Sequence, residues 1–192
     1  MTRLYLVRHG PTHLRAMVGW SDPPADLSDT AALARLSNYL PSEALVVSSD
    51  LLRAITTADA IQHQRRRLPH LPGLREFHFG RWELRNASEI EAEDPGLARA
   101  YWERPGEVRP PGGESWNEGC ARMNAAIDAL IREYPGKDLV VVAHFGMILS
   151  QVQRALDVDA ETVLAQRIDN LSVTSLHYGA SGWTTGTINH LP

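Results

Sequence analysis

The chain has 192 residues, of which 43% are hydrophobic and 22% charged, and its net charge is −4. These values suit one compact globular domain over 1–192 with a sizeable core. The negative balance argues against a nucleic-acid binder, though not against a local cationic pocket. No apolar run approaches the roughly 20 residues that a bilayer span needs. Met1-Thr2-Arg3 runs straight into an apolar stretch, which leaves no room for a signal peptide. The single cysteine, Cys120, excludes an internal disulfide framework and supplies no metal cluster. A cytoplasmic protein without membrane or nucleic-acid partners is expected.

In chain order, residues 3–8 read as a buried strand and 9–27 as a loop rich in Gly, Pro and Asp. Ser28 is a plausible N-cap for a helix to about Leu40, which Pro41 ends. A short strand follows at 44–48. A helix then runs from about Asp50 into Arg65-Arg66-Arg67, read as a solvated helix end facing the helix dipole rather than an anion site. Residues 68–80 suggest a short strand and a turn. Residues 87–104 look helical with a break at Pro95-Gly96, and 81–113 reads as an insertion over one end of the sheet, a possible lid. A helix is expected over 115–134, a strand at 139–143, a helix at 147–156, and a hairpin of strands near 171–178 and 182–188. The alternation predicts an α/β protein in three layers, with a mostly parallel central sheet and helices on both faces.

Two strand candidates end alike. Leu4-Tyr5-Leu6-Val7 runs into Arg8-His9-Gly10, and Val140-Val141-Val142-Ala143 runs into His144-Phe145-Gly146. In an open α/β sheet the ligand crevice lies at the carboxyl ends of the parallel strands. If the two strands are neighbours, His9 and His144 face each other there beside Arg8, a set suited to a small anion such as phosphate. By default Arg53 is a surface ion-pair residue, and Glu76 and Glu83 are loop carboxylates. Glu114-Ser115 reads as a cap for the next helix. Trp20, Phe77 and Trp82 suit either a pocket lining or a core. No His-Glu-x-x-His, Gly-x-Ser-x-Gly or P-loop pattern is present.

Five segments in order resemble the motifs of the histidine phosphatase superfamily, the phosphoglycerate-mutase-like fold. They are Arg8-His9-Gly10, Ser48-Ser49-Asp50-Leu51-Leu52-Arg53-Ala54, Leu74-Arg75-Glu76 through Trp82-Glu83, Gly112-Gly113-Glu114-Ser115, and Ala143-His144-Phe145-Gly146. The resemblance implies that His9 takes the phosphoryl group, that Arg8, Arg53 and His144 hold its oxygens, and that Glu76 protonates the leaving group, with Glu83 as the rival acid. It implies a metal-independent phosphomonoesterase acting on a small phosphorylated metabolite through a phosphohistidine, with no cofactor. The alternatives are a cofactor-dependent phosphoglycerate-type mutase and a non-catalytic phospholigand-binding protein. The short chain favours hydrolysis, and the Phe79-Gly80-Arg81-Trp82-Glu83 run is most like phosphatases of the α-ribazole type. The family often has an acidic residue and then an asparagine after Arg-His-Gly. Here Pro11 and Arg15 stand near those places, so His13 or Arg15 is expected to substitute for the asparagine. Glu76 is expected to have a raised pKa once a bound anion and burial outweigh Arg8 and Arg53. The substrate and the oligomeric state are not specified by these residues.

Overall fold

The computed structural model describes residues 1–192. Five strands form one sheet: β1 (Thr2–Arg8), β2 (Leu45–Ser48), β3 (Asp138–Ala143), β4 (Val173–Gly179) and β5 (Gly182–Thr185), in the order β2-β3-β1-β4-β5. The pairs β2–β3 and β3–β1 are parallel, while β1–β4 and β4–β5 are antiparallel. The parallel centre carries an antiparallel edge, as the alternation predicts.

Strand β3 is buried on both faces, and its side chains divide by parity. Leu139, Val141 and Ala143 join Leu4 and Leu6 against helices α5 (Trp116–Glu133) and α6 (Phe145–Leu156). Val140 and Val142 join Val7 and Val46 against α1 (Thr30–Tyr39) and α2 (Leu52–Gln62). The sheet is therefore the middle of three layers. The chain leaves β1 for the α1 face and β3 for the α6 face. A crevice opens between their carboxyl ends, as at a topological switch point.

Several boundaries differ from the expected ones, each for a local reason. Asp29, not Ser28, caps α1 by accepting the Ala32 N–H at 2.9 Å. No strand forms in 68–80. Only Arg67 bridges β2, at Val46, because Pro69 and Pro72 lack the N–H a ladder needs. Single 3-10 turns at Pro72–Leu74 and Gly80–Trp82 shape the segment instead. The helical stretch after residue 86 is two helices, α3 (Ala87–Glu93) and α4 (Pro95–Glu103), and Asp94 ends the first and caps the second. A short helix, α7 (Ala160–Leu164), precedes the final hairpin. Trp82 is core, packed with Ile90 and Ala98.

The arginine run is not a solvated helix end. Helix α2 stops at Gln62, and the Arg65 side chain turns inward, only 6% exposed. Its guanidinium donates to the carbonyls of Ser37 (2.7 Å), Leu40 (2.6 Å), Pro41 (2.7 Å) and Ile61 (3.0 Å). It thus satisfies carbonyls left open at the ends of both α1 and α2. Arg65→Met keeps the apolar stem and removes the donors. It is expected to lower stability by about 2–4 kcal/mol in chemical denaturation. Arg66→Met is the comparison, because no side-chain bond ties that exposed residue.

Candidate functional site

The parallel register builds the site. Arg8 pairs with Ala143, and Ser48 with Val142. The residues just beyond the strands, His9, His144 and Ser49, therefore share one edge. The ladder continues into them, with His9 N–H donating to the Ala143 carbonyl (3.1 Å) and Ser49 N–H to that of Val142 (3.2 Å). The two imidazoles lie 5.1 Å apart between ring centroids.

His9 is held at both nitrogens. Nδ1 lies 2.7 Å from the Gly10 carbonyl, an acceptor only, so the ring proton sits on Nδ1. Nε2 is left as an acceptor, and the Arg53 Nε–H rests on it at 3.2 Å. Burial, with Arg53 and Arg8 close by, lowers the His9 pKa to about 3. The ring is neutral at neutral pH. His144 is fully buried, and burial together with His9 pushes its pKa well below the usual range. Its Nε2 meets Ser49 Oγ at 2.7 Å, while its Nδ1 has no partner.

Arg53 is 1% exposed on the first turn of α2, far from the surface ion pair that is the default for such a residue. One N–H on each terminal nitrogen goes to a carbonyl, of Ser21 (2.8 Å) and Gly19 (2.7 Å), while Nε–H points to His9. Arg8 donates one nitrogen to the Ile168 carbonyl at 2.5 Å, and its buried Nε has no partner. A buried polar group without a partner is costly, and Arg8 Nε and His144 Nδ1 are two such groups at one strand edge.

Glu76 and Glu83 have opposite surroundings. Glu76 is buried, and its carboxyl group accepts from the N–H groups of Phe77 and Gly146, both at 3.0 Å. Burial raises its pKa over the opposing pull of those donors and of Arg53 and Arg8. Substrate is not needed for that direction, contrary to the sequence-based expectation. Glu83 is desolvated too, but the Ser21 hydroxyl and the N–H groups of Trp20, Gly19 and Phe79 outweigh burial and lower its pKa. It accepts five hydrogen bonds, including one from the Ser21 N–H, and fixes the 19–21 loop as an ionised anchor.

A cavity of about 300 Å³ opens over this edge, lined by Arg8, His9, Arg53 and Glu76 among mainly apolar residues. His13 and Arg15 do not line it, whereas Thr12 does. His13 pairs with Asp26 at 2.8 Å on the surface, and Arg15 borders a second, open mouth beside His9. Both therefore sit at that second mouth rather than in the cavity. Phe77 both lines the cavity and belongs to the core. Trp20 does neither. It donates Nε1–H to the Glu76 carbonyl at 2.8 Å.

The sequence reading missed three supporting residues. Ser49 sets His144. Arg122 donates to the carbonyls of Gly73, Arg75 and Glu76 and pairs with Glu114, which in turn accepts the His78 N–H. Asn170 donates to the His9 carbonyl at 2.8 Å. The signal for Ser49 was its place one residue past an in-register strand. Arg122 and Asn170 act across the fold and carry no local signal. Ser115 does cap α5, in a reciprocal box with Glu118, but Glu114 ties down the acid-bearing segment instead.

An open α/β sheet with histidines and arginines at its carboxyl edge is an anion-handling architecture. The sequence profile of the histidine phosphatase superfamily (branch 1) matches residues 4–190, and the chain belongs to that superfamily. It is 32% identical over 208 residues to a Cronobacter sakazakii protein named "Probable phosphoglycerate mutase GpmB", covering 100% of this chain and 95% of that protein. It is 31% identical over 188 residues to a bifunctional protein of Mycobacterium tuberculosis, covering 94% of this chain and 51% of the relative. The chain thus spans about half the length of that relative. Among solved structures, the α-ribazole phosphatase of Shigella flexneri superposes with a TM-score of 0.86 at 25% identity, over 98% of this chain and 96% of that one. The mostly parallel α/β fold is therefore that of the phosphoglycerate-mutase-like proteins.

Gly146 is where this packing is tightest. A Cβ there would sit 2.6 Å from Glu76 Oε1 and 2.6 Å from the Phe77 ring. Gly146→Ala is expected to destabilise by about 1–3 kcal/mol through overpacking. Gly96→Ala, at an exposed position of α4 with its nearest neighbour 3.5 Å away, is expected to be neutral or slightly stabilising. Urea denaturation of the two variants checks the contrast.

Proposed function

We propose that the protein is a metal-independent phosphomonoesterase that transfers the phosphoryl group of a small metabolite to His9 and then to water. The observation that carries this reading is the division of roles between two nearby carboxyls. Burial raises the Glu76 pKa and so favours its protonated form, while the donors around Glu83 lower its pKa and favour the carboxylate.

His9 attacks through Nε2. Its proton is fixed on Nδ1 by the Gly10 carbonyl, and it stays neutral down to about pH 3. The Arg53 Nε–H that rests on Nε2 moves to a phosphate oxygen as the ester arrives. The unpartnered Arg8 Nε takes a second oxygen. In this reading Ser49, which also accepts the Leu51 N–H (3.4 Å), donates to His144 Nε2 and leaves the proton on Nδ1 for the same anion, although His144 itself is outside the cavity lining. Two of the five Arg53 N–H groups hold the 19–21 loop, and the Nε–H on His9 is the donor already placed at the reacting nitrogen. Phosphoryl transfer needs mainly positioning and charge stabilisation, and two fixed guanidiniums supply them. Activity is expected to survive exhaustive chelation.

In this reading Glu76 gives its proton to the departing alkoxide. In the second step it takes one from the attacking water, which releases phosphate and restores His9. The α-ribazole phosphatase likeness supports hydrolysis. The name of the Cronobacter relative supports the second reading, a mutase, which would return the phosphoryl group to the bound alcohol. A mutase is expected to isomerise 3-phosphoglycerate with little phosphate release, given its bisphosphate.

Glu76→Gln is expected to slow hydrolysis of an alkyl phosphate by roughly 10²–10⁴-fold, the usual worth of acid catalysis. On an aryl phosphate with an acidic phenol the loss should be much smaller. Wild-type alkyl turnover should fall as pH rises through the elevated Glu76 pKa, since the acid is then lost, and this decline should vanish in Glu76→Gln. If Glu83→Gln shows the leaving-group dependence and Glu76→Gln does not, the acid has been assigned to the wrong carboxyl.

A further inference from the structure

The cavity over His9 has an uneven distribution of charge. Every ionisable group that lines it, namely Arg8, His9, Arg53 and Glu76, is already engaged in phosphate binding and transfer in the reading above. Tyr101 is the exception, and burial raises its pKa so that it stays neutral. Away from that end the wall is built by Met17, Phe79, Tyr101, Val108, Trp116 and Leu164. It contains no second cation. The arginines of residues 81–113 are outside the lining, and four are paired there: Arg81 and Arg85 with Glu93, Arg99 with Glu103, and Arg109 with Glu118.

The rim supplies a second observation. Trp102 is 53% exposed and Leu14 48% exposed, yet both line the cavity. Trp102 stands edge-on to Tyr101, with ring centroids 4.9 Å apart, and Tyr101 stands edge-on to Trp82 at 5.1 Å. Deeper in, Trp116 stacks on Phe77 at 4.8 Å and an interplanar angle of 12°. The Trp102 ring rests against Tyr101 while about half of its surface is left to solvent at the cavity mouth.

Two openings meet at His9, and only one can take the leaving group. The polar mouth, bordered by Arg15, His13 and Asn170, does not include Glu76. The apolar cavity does. An acid that protonates the departing oxygen must touch it, so the alcohol lies in the apolar arm.

We propose that the site selects phosphomonoesters of uncharged, apolar alcohols, with an aromatic ring seated between Trp102, Tyr101 and Trp116. The proposal rests on the phosphatase reading above and deepens it. Burying the ring gains apolar area and edge or face contacts with the aromatic wall. A leaving group bearing a carboxylate or a second phosphate would lie against that wall with no counter-ion, which is strongly unfavourable. Phosphoglycerate is therefore a poor substrate, and the selection also bears against the mutase reading.

The test compares three esters of ordinary alcohols: benzyl phosphate, glycerol 3-phosphate and 3-phosphoglycerate. Benzyl phosphate is expected to have a kcat/KM roughly tenfold or more above either of the others. Trp102→Ala should reduce that preference by roughly three- to tenfold, mainly through KM. Trp102→Lys should shift the ratio further toward 3-phosphoglycerate. Since Trp102 is half exposed, neither variant removes core packing. Equal or better turnover of glycerol 3-phosphate or 3-phosphoglycerate by the wild type, with vanadate inhibition intact, overturns the selection and leaves the phosphatase reading standing. If no ester is hydrolysed, the phosphatase reading fails. Calorimetry with benzylphosphonate against inorganic phosphate then decides the pocket alone: tighter binding of the phosphonate supports it, and equal binding overturns it.

Discussion

The in-register parallel pairing of β1 with β3 is the constraint on which the rest of the site depends. It sets His9 beside His144 with no loop between either residue and the sheet. A shift of one residue would turn both side-chain sets over, taking Val141 and Val142 out of their respective cores. The hydrophobic sorting of β3 onto two helical layers therefore also holds the two imidazoles at 5.1 Å. Stability and site geometry share one cause.

Around that fixed edge the loops are tied by charges rather than by packing. Glu83 gathers the 19–21 loop from one side, and Arg53 takes the carbonyls of the same loop from the other. Arg122 gathers three carbonyls of the segment that carries Glu76. At the edge itself Arg53 Nε rests on His9, while Arg8 Nε and His144 Nδ1 are left without partners. Glu76 is different because it has no ion-pair partner in contact, and burial outweighs its two N–H donors and the nearby Arg53 and Arg8. Its acidity thus follows from the fold, through Gly146 at the start of α6 and the close approach that only glycine allows. Tyr101, Trp102 and Val108 join Met17, Phe79 and Trp116 in an apolar wall beside Glu76.

Much of this was legible in the residues. Apolar strands ending in histidine and glycine, and the break at Pro95-Gly96, are local signals, and the structure follows them. The resemblance placed Arg53 and Glu76, which periodicity alone would have left on the surface. The failures are equally physical. Arg65 lies in a run of three like charges, and nothing local says that its side chain turns inward to two helix ends. The strand expected in 68–80 looked plausible until the two prolines met a β2 of only four residues. Arg122 and Asn170 act on segments 46 and 161 positions away, a separation no short motif encodes.

The central claim is that His9 becomes covalently phosphorylated during turnover. Rapid quenching at neutral or alkaline pH with labelled substrate, followed by peptide mass spectrometry, tests it most directly. The account predicts an acid-labile, base-stable phosphoryl group on His9 that is absent in His9→Ala, with activity lost in that variant. Full activity of His9→Ala, with no adduct on any histidine of the wild type, would contradict it.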